Sequence, residues 1–204
     1  MKFIDISAGT FAACDHWDGC EPEIEWKKSM ERGDWCNRSA FSMPSHWGTH
    51  LDAPFSFFPD GETVDCVAPE NCIGPCTVMS VDGPVTGKWV EENIPFDCER
   101  LLIRGTEETF IMESAAFELA QYRLKLLGIN RPSVSAHAQD TAASLALLEN
   151  GIVILEGLCL DDAADGEYFL IAPPLKNTGA ESAPVRAVLV SDYIFWSPNE
   201  RKWK

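Results

Sequence analysis

The hydrophobic pattern of the chain changes character along its length. The first third holds short apolar pieces broken by aromatic residues and turns. There "SAFSM" (39–43) reads as a strand feeding a histidine-bearing segment, and "CTVMSV" (76–81) as a strand after an "IGP" turn. Further on, strand-like and helix-like runs alternate. "RLLIRG" (100–105) predicts a strand. In "ESAAFELAQYRLKLLG" (113–128), Ala116, Phe117, Ala120, Leu124 and Leu127 recur at helical spacing, with Gly128 as the stop. "DTAASLALLENG" (140–151) predicts a second helix, with Asp140 as its N-cap and Asn150-Gly151 as its end. "IVILEG" (152–157) is an apolar strand interrupted by Glu156, and "VRAVLV" (185–190) closes the sheet. The pattern predicts an α/β fold with a mixed β-sheet. With no repeat, no low-complexity tract and no long linker, one domain over residues 1–204 is expected.

Composition narrows the function classes. Hydrophobic residues make up 46% and charged residues 24%, which suffices for a sizeable core. The formal net charge of −16 argues against nucleic acid and anionic membrane surfaces, both of which need a basic face. No run approaches the ~20 apolar residues of a membrane span. "MKFIDISAGT" lacks the sustained apolar core of a signal peptide, so a cytoplasmic location with reduced thiols is expected. "CIGPC" (72–76) has no second cysteine pair at zinc-site spacing, so most of the eight cysteines read as small buried hydrophobes.

The segment "SHWGTHLDAPFSFFPDG" (45–61) concentrates candidate chemistry. His46, His50 and Asp52 are ligand types suited to Zn²⁺, Mn²⁺ or Fe²⁺. A straight strand would hold His46 and Asp52 roughly 20 Å apart at ~3.3 Å per residue, too far for one ion. A straight helix would turn Asp52 away from the histidines, and Gly48 and Pro54 are poor helix formers. The ligands meet only if the chain turns sharply at Gly48 and bends again before Pro54. The spacing alone equally describes a surface loop with two incidental histidines. Glu156 adds weight, because a carboxylate buried in an apolar strand needs a partner cation. As a strand-end residue it could also reach solvent before Gly157.

"HWGTHLDAPFSF" (46–57) resembles the His-x-Gly-Thr-His-x-Asp-x-Pro-x-His signature of the cyclase family, which includes kynurenine formamidases and isatin hydrolases. "WDGCEP" (17–22) resembles that family's tryptophan-containing turn, and residues 154–190 look like its C-terminal block. The resemblance implies a swivelling β/β/α fold, usually dimeric, that hydrolyses an amide or cyclic amide of a small, aromatic metabolite with a bound divalent metal. By position it implies His46, His50 and Asp52 as ligands of a first metal, Asp52 and Glu156 bridging to a second, and Trp17 against the substrate. Phe55, with Phe57 and Phe58, is a candidate wall of the substrate pocket, although such a run also suits a core.

Two positions depart from the family pattern. Ser56 stands where the family places a catalytic acid/base histidine, and Ser144 where a histidine serves the second metal. One Zn or Mn ion per chain is therefore expected, held by His46, His50 and Asp52 with Glu156 binding directly or through water, Glu156 also being the stand-in base and a homodimer or higher homo-oligomer the assembly. His137 and His16 are further candidates for the missing imidazole and the pocket lining. A lyase or cyclase step on the same fold, and a catalytically impaired metal- or metabolite-binding homologue, are the alternatives to hydrolysis.

Overall fold

A computed structural model describes residues 1–11, 21–137 and 139–192. Its centre is a nine-stranded mixed sheet. The strands are β1 (Lys2–Asp5), β4 (His50–Asp52), β5 (Ile73–Val81), β6 (Arg100–Gly105), β7 (Leu126–Ile129), β8 (Val153–Glu156), β9 (Gly166–Ile171), β10 (Ser182–Pro184) and β11 (Val188–Ser191). They lie in the order β1-β11-β9-β5-β6-β7-β8-β4-β10. The run β5-β6-β7-β8 is parallel, and the remaining pairings are antiparallel. A separate two-stranded ribbon pairs β2 (Glu23–Lys28) with β3 (Arg38–Ser42). This is the expected mixed α/β sheet, and "SAFSM" is a strand, although of the ribbon.

Side chains alternate between the faces of the sheet, and each face has its own core. On one face Leu101, Ile103, Leu127, Ile129 and Ile154 pack with residues of α2 (Gly87–Asn93), α3 (Glu113–Leu119) and α4 (Ala142–Glu149). The short helix α1 (Pro69–Cys72) leads directly into β5. On the other face Leu51, Leu102, Leu126 and Leu155 share a core with Ile4 of β1 and Ala183 of β10. β1 and β10 are the two ends of the strand order, so the sheet curls until its edges bury against common neighbours.

Two local expectations are corrected. The helix read over 113–128 ends at Leu119, and Leu126–Ile129 is a fully buried strand instead. Leu127 contributes to the core from β7 and Leu124 from the segment before it, rather than from a helix face. Gly128 is a close-packing position, since a Cβ there would lie 2.4 Å from Leu102 Cδ2. The "IGP" turn is likewise absent, because Ile73, Gly74 and Pro75 already belong to β5. Gly74 leaves room for the buried Arg100 guanidinium, whose Nη1 would stand 2.4 Å from an added Cβ. The N-cap of the second helix is Thr141 rather than Asp140, and the helix ends at Asn150-Gly151 as expected. Cys72, Cys76 and Cys98 are buried hydrophobes, whereas Cys66 and Cys159 are exposed. Among the described residues no helix is long and apolar enough to cross a membrane.

Candidate metal centre

The chain turns where glycine permits it. Gly48 has a φ of +64°, in the left-handed region that disfavours side chains. After this turn β4 runs for three residues, and the 3₁₀ turn Pro54–Ser56 bends the chain away again. β4 lies between β8 and β10, with His50 opposite Glu156 and Asp52 opposite Ser182. Leu51 points into the opposite core, so His50, Asp52 and Glu156 share the face that carries the helices. His46, four residues before β4, folds back over this face until its Nδ1 is 2.9 Å from Asp52 Oδ1.

The result is a compact donor cluster. One ligand atom from each of His46, His50 and Asp52 lies within 4.8 Å of the others. His50 Nε2 is 3.7 Å from Asp52 Oδ1 and 3.3 Å from Glu156 Oε2. The other nitrogen of His50 is 2.9 Å from the Gly48 carbonyl, which accepts its proton, so the neutral ring carries its lone pair at Nε2. Glu156 is 5% exposed, which settles its two readings in favour of burial. Its Oε1 accepts hydrogen bonds from the Val134 backbone N–H at 2.7 Å and the Ser133 hydroxyl at 3.1 Å.

This donor set fits a divalent cation. His50 Nε2 and Asp52 Oδ1 are buried and make no well-directed hydrogen bond among the described residues, their nearest partners being the other titratable groups of the cluster. Such burial costs about 1–3 kcal/mol per polar group. Both atoms aim at the cluster, and an imidazole nitrogen beside a carboxylate oxygen is the donor chemistry a divalent transition metal takes.

The acid–base balance of the cluster also predicts how a cation competes with protons. Burial disfavours a charged His50, yet the close Glu156 carboxylate and the charge of Asp52 outweigh it and push its pKa up to about 9. Burial likewise opposes a charged His46, and the neighbouring Asp52 carboxylate still raises its pKa. For Asp52, burial is outweighed by the two histidine rings, and its pKa is lowered. Burial raises the pKa of Glu156.

A cation needs the neutral His50 ring, so binding expels a proton below about pH 9. Metal affinity is expected to rise at least about tenfold per pH unit towards that value and then level off. The raised pKa gives the metal-free protein stability that is complete below about 6.5 and is lost as pH climbs through about 9. Chelator competition across this range checks the sign, and a pH-independent affinity would exclude it.

The other candidates fall at varied distances from the cluster. Ser56 is half-buried, and its hydroxyl donates to the Glu181 carbonyl at 2.9 Å. Ser144 is buried within α4. Phe55 is exposed, while Phe57 and Phe58 pack against the core beneath the helices. His137 is exposed at the rim of a cavity of about 630 Å³ that is also lined by Arg131, Phe110 and Ser133. None of the three clustered ligands lines that cavity, although its Ser133 hydroxyl hydrogen-bonds Glu156. Trp17 and His16 lie outside the described residues.

Sequence reasoning missed four participants. Glu181 places Oε1 3.3 Å from His46 Nε2. Ser133 and Val134 hold Glu156, and Gly157 admits the Gly48 backbone into close contact. Gly157 carried a readable signal as a glycine directly after a strand-end glutamate. Glu181 and Ser133 carried none, because each is brought in by distant pairing.

Comparison with known proteins identifies relatives of this chain. The family model described as putative cyclase matches residues 4–136. The kynurenine formamidase of Bacillus cereus is 35% identical over 204 residues, covering 92% of this chain and 97% of that protein. The kynurenine formamidase of Salinibacter ruber is 32% identical over 207 residues, covering 93% and 97%. A solved structure described as a predicted metal-dependent hydrolase from Bacillus stearothermophilus superposes with a TM-score of 0.80 at 25% identity, covering 92% and 97%. Isatin hydrolase A from Labrenzia aggregata shares the fold, with a TM-score of 0.73 at 20% identity and 94% coverage of each chain. With the signature segment folded into a ligand cluster and relatives matched over nearly its whole length, this chain belongs to the cyclase family.

Proposed function

We propose that the protein is a metal-dependent hydrolase that cleaves the C–N bond of an amide or cyclic amide in a small aromatic metabolite. The observation that carries this reading is the convergence of buried donor atoms in the His46–His50–Asp52 cluster, where His50 Nε2 and Asp52 Oδ1 make no well-directed hydrogen bond. Relatives named kynurenine formamidase and a structural neighbour named metal-dependent hydrolase support the reaction class.

His46, His50 and Asp52 would hold one Zn²⁺ or Mn²⁺ per chain. Such an ion polarises a carbonyl and eases deprotonation of water near neutral pH. The protein's own contribution starts with Glu156. Val134 and Ser133 fix one of its oxygens, and the other faces the cluster beside His50. Burial raises its pKa towards the working range of a general base. Glu156 therefore takes the proton of the attacking water and returns it to the leaving nitrogen, so that amide plus water becomes carboxylic acid plus amine. Phe55 and Trp17 are proposed to contact the aromatic ring. Ser56 occupies the signature position, but its hydroxyl is committed to a carbonyl, which favours a slow enzyme as the second reading.

We also propose a homodimer or higher homo-oligomer in the cytoplasm. The β2–β3 ribbon exposes Trp26, Ile24 and Phe41, an apolar face of the kind a second copy would cover. The free thiols of Cys36 and Cys66 suit a reducing compartment.

Native mass spectrometry of protein purified without added metal counts chains and ions together. One divalent ion per chain in a dimer is expected. The same preparation is screened against aryl formamides and cyclic amides, with turnover abolished by chelation and restored by Zn²⁺ or Mn²⁺. Two ions per chain that resist dialysis would overturn the one-metal site. Absence of metal together with absence of turnover would overturn the hydrolase reading.

A further inference from the structure

His46 differs from the other two ligands in its support. His50 and Asp52 belong to β4 and are buried, whereas His46 sits on the preceding loop with a side chain 35% exposed. A ligand on such a loop has rotational freedom unless something holds its ring. For His50 the hold is the Gly48 carbonyl. For His46 the nitrogen facing away from Asp52 is Nε2, and the group opposite it is the Glu181 carboxylate at 3.3 Å.

Glu181 is itself fixed from three sides. The Ser45 hydroxyl donates to its Oε1 at 2.5 Å. Its backbone carbonyl accepts from the Ala53 N–H and from the Ser56 hydroxyl, each at 2.9 Å. The next residue, Ser182, pairs with Asp52 in the sheet, and its hydroxyl donates to the Ser45 carbonyl at 3.4 Å. Residues 181–182 thus tie the His46 loop, the ligand strand and the turn after it into one unit.

We infer that Glu181 is a positioning residue that orients His46 for metal binding, and that Ser56 acts on the site by anchoring Glu181 rather than by transferring protons. The inference rests on the metal-centre reading. A histidine ligand whose outer N–H is held by a carboxylate is locked in tautomer and ring angle, and losing that partner typically weakens metal affinity about 10–100-fold. The serine at position 56 then has a defined task. Its hydroxyl holds the carbonyl of the residue that holds the ligand.

The test is Zn²⁺ affinity by chelator competition, with Co²⁺ absorption spectra as a probe of ligand geometry. Glu181→Ala is expected to weaken Zn²⁺ binding about 10–100-fold and to broaden the Co²⁺ bands, with one ion per chain retained. Glu181→Gln, whose amide oxygen still accepts from His46 Nε2, is expected to recover most of the affinity. Ser56→Ala should shift affinity in the same direction by less. A merely structural role would instead lower the unfolding midpoint of the metal-free protein equally in the alanine and glutamine variants. Native affinity in Glu181→Ala, or glutamine as weak as alanine, overturns the inference while leaving the metal centre intact. Failure of the native chain to bind Zn²⁺ overturns both.

Discussion

Gly157→Ala is expected to destabilise the protein by about 2–5 kcal/mol and to weaken metal binding with it. The figure combines about 1–2 kcal/mol for a side chain in left-handed backbone with about 1–3 kcal/mol for overpacking. Gly157 has a φ of +67°, and a Cβ there would stand 2.2 Å from the Gly48 carbonyl oxygen. That oxygen cannot retreat freely, because it accepts the proton of His50 Nδ1, and Gly48 is itself in the left-handed region. The added methyl therefore pushes on the atom that sets the tautomer and angle of a ligand. Gly151→Ala is the control, since Gly151 has a φ of +73° with nothing within 4 Å of an added Cβ. It should show the backbone cost alone and leave Zn²⁺ affinity unchanged. Urea denaturation and chelator competition on both variants separate the two contributions. Equal destabilisation with equal metal affinity would mean that the Gly48–Gly157 contact does not support the centre.

Ser56→His is expected to raise hydrolysis of an aryl formamide, by up to the ~10²–10⁴-fold of a positioned acid/base group. The family signature puts an imidazole at this position, four residues after Asp52. Here the serine hydroxyl serves the Glu181 carbonyl, so the substitution removes a brace while adding a proton-transfer group. The gain is therefore read as a rate ratio at matched metal loading. Robust turnover by the native protein, with no gain in the variant, would show that another group already performs the transfer. Glu156 is then the first to substitute, because it is buried against His50 and held by Ser133 and Val134.

The metal segment was legible in the sequence because its donors are local. His46, His50 and Asp52 span seven residues, and elementary strand and helix geometry already required turns at Gly48 and near Pro54. Both turns are present, as a positive φ and a 3₁₀ turn. The buried Glu156 was legible as a charge in an apolar strand. The support of the site was not. Glu181 reaches His46 beside the β4–β10 pairing, and Ser133 reaches Glu156 from the segment after β7, which pairs with β8, and no local pattern reveals either register. The overlong helix over 113–128 had a related cause. A strand that is buried on both faces shows no alternation, so Leu126–Ile129 was absorbed into the helical spacing before it.

The alternation along β4 has a consequence for how this segment tolerates changes of length. His50 and Asp52 face the cluster, and Leu51 between them is fully buried in the opposite core. A single inserted or deleted residue in the strand would reverse the faces, sending a donor into hydrocarbon and leucine towards the ion. Substitutions at Ser56, beyond the bend, leave that phase untouched. The segment can therefore be edited letter by letter, as its serine shows, but its strand cannot be lengthened or shortened without turning a donor away from the cluster.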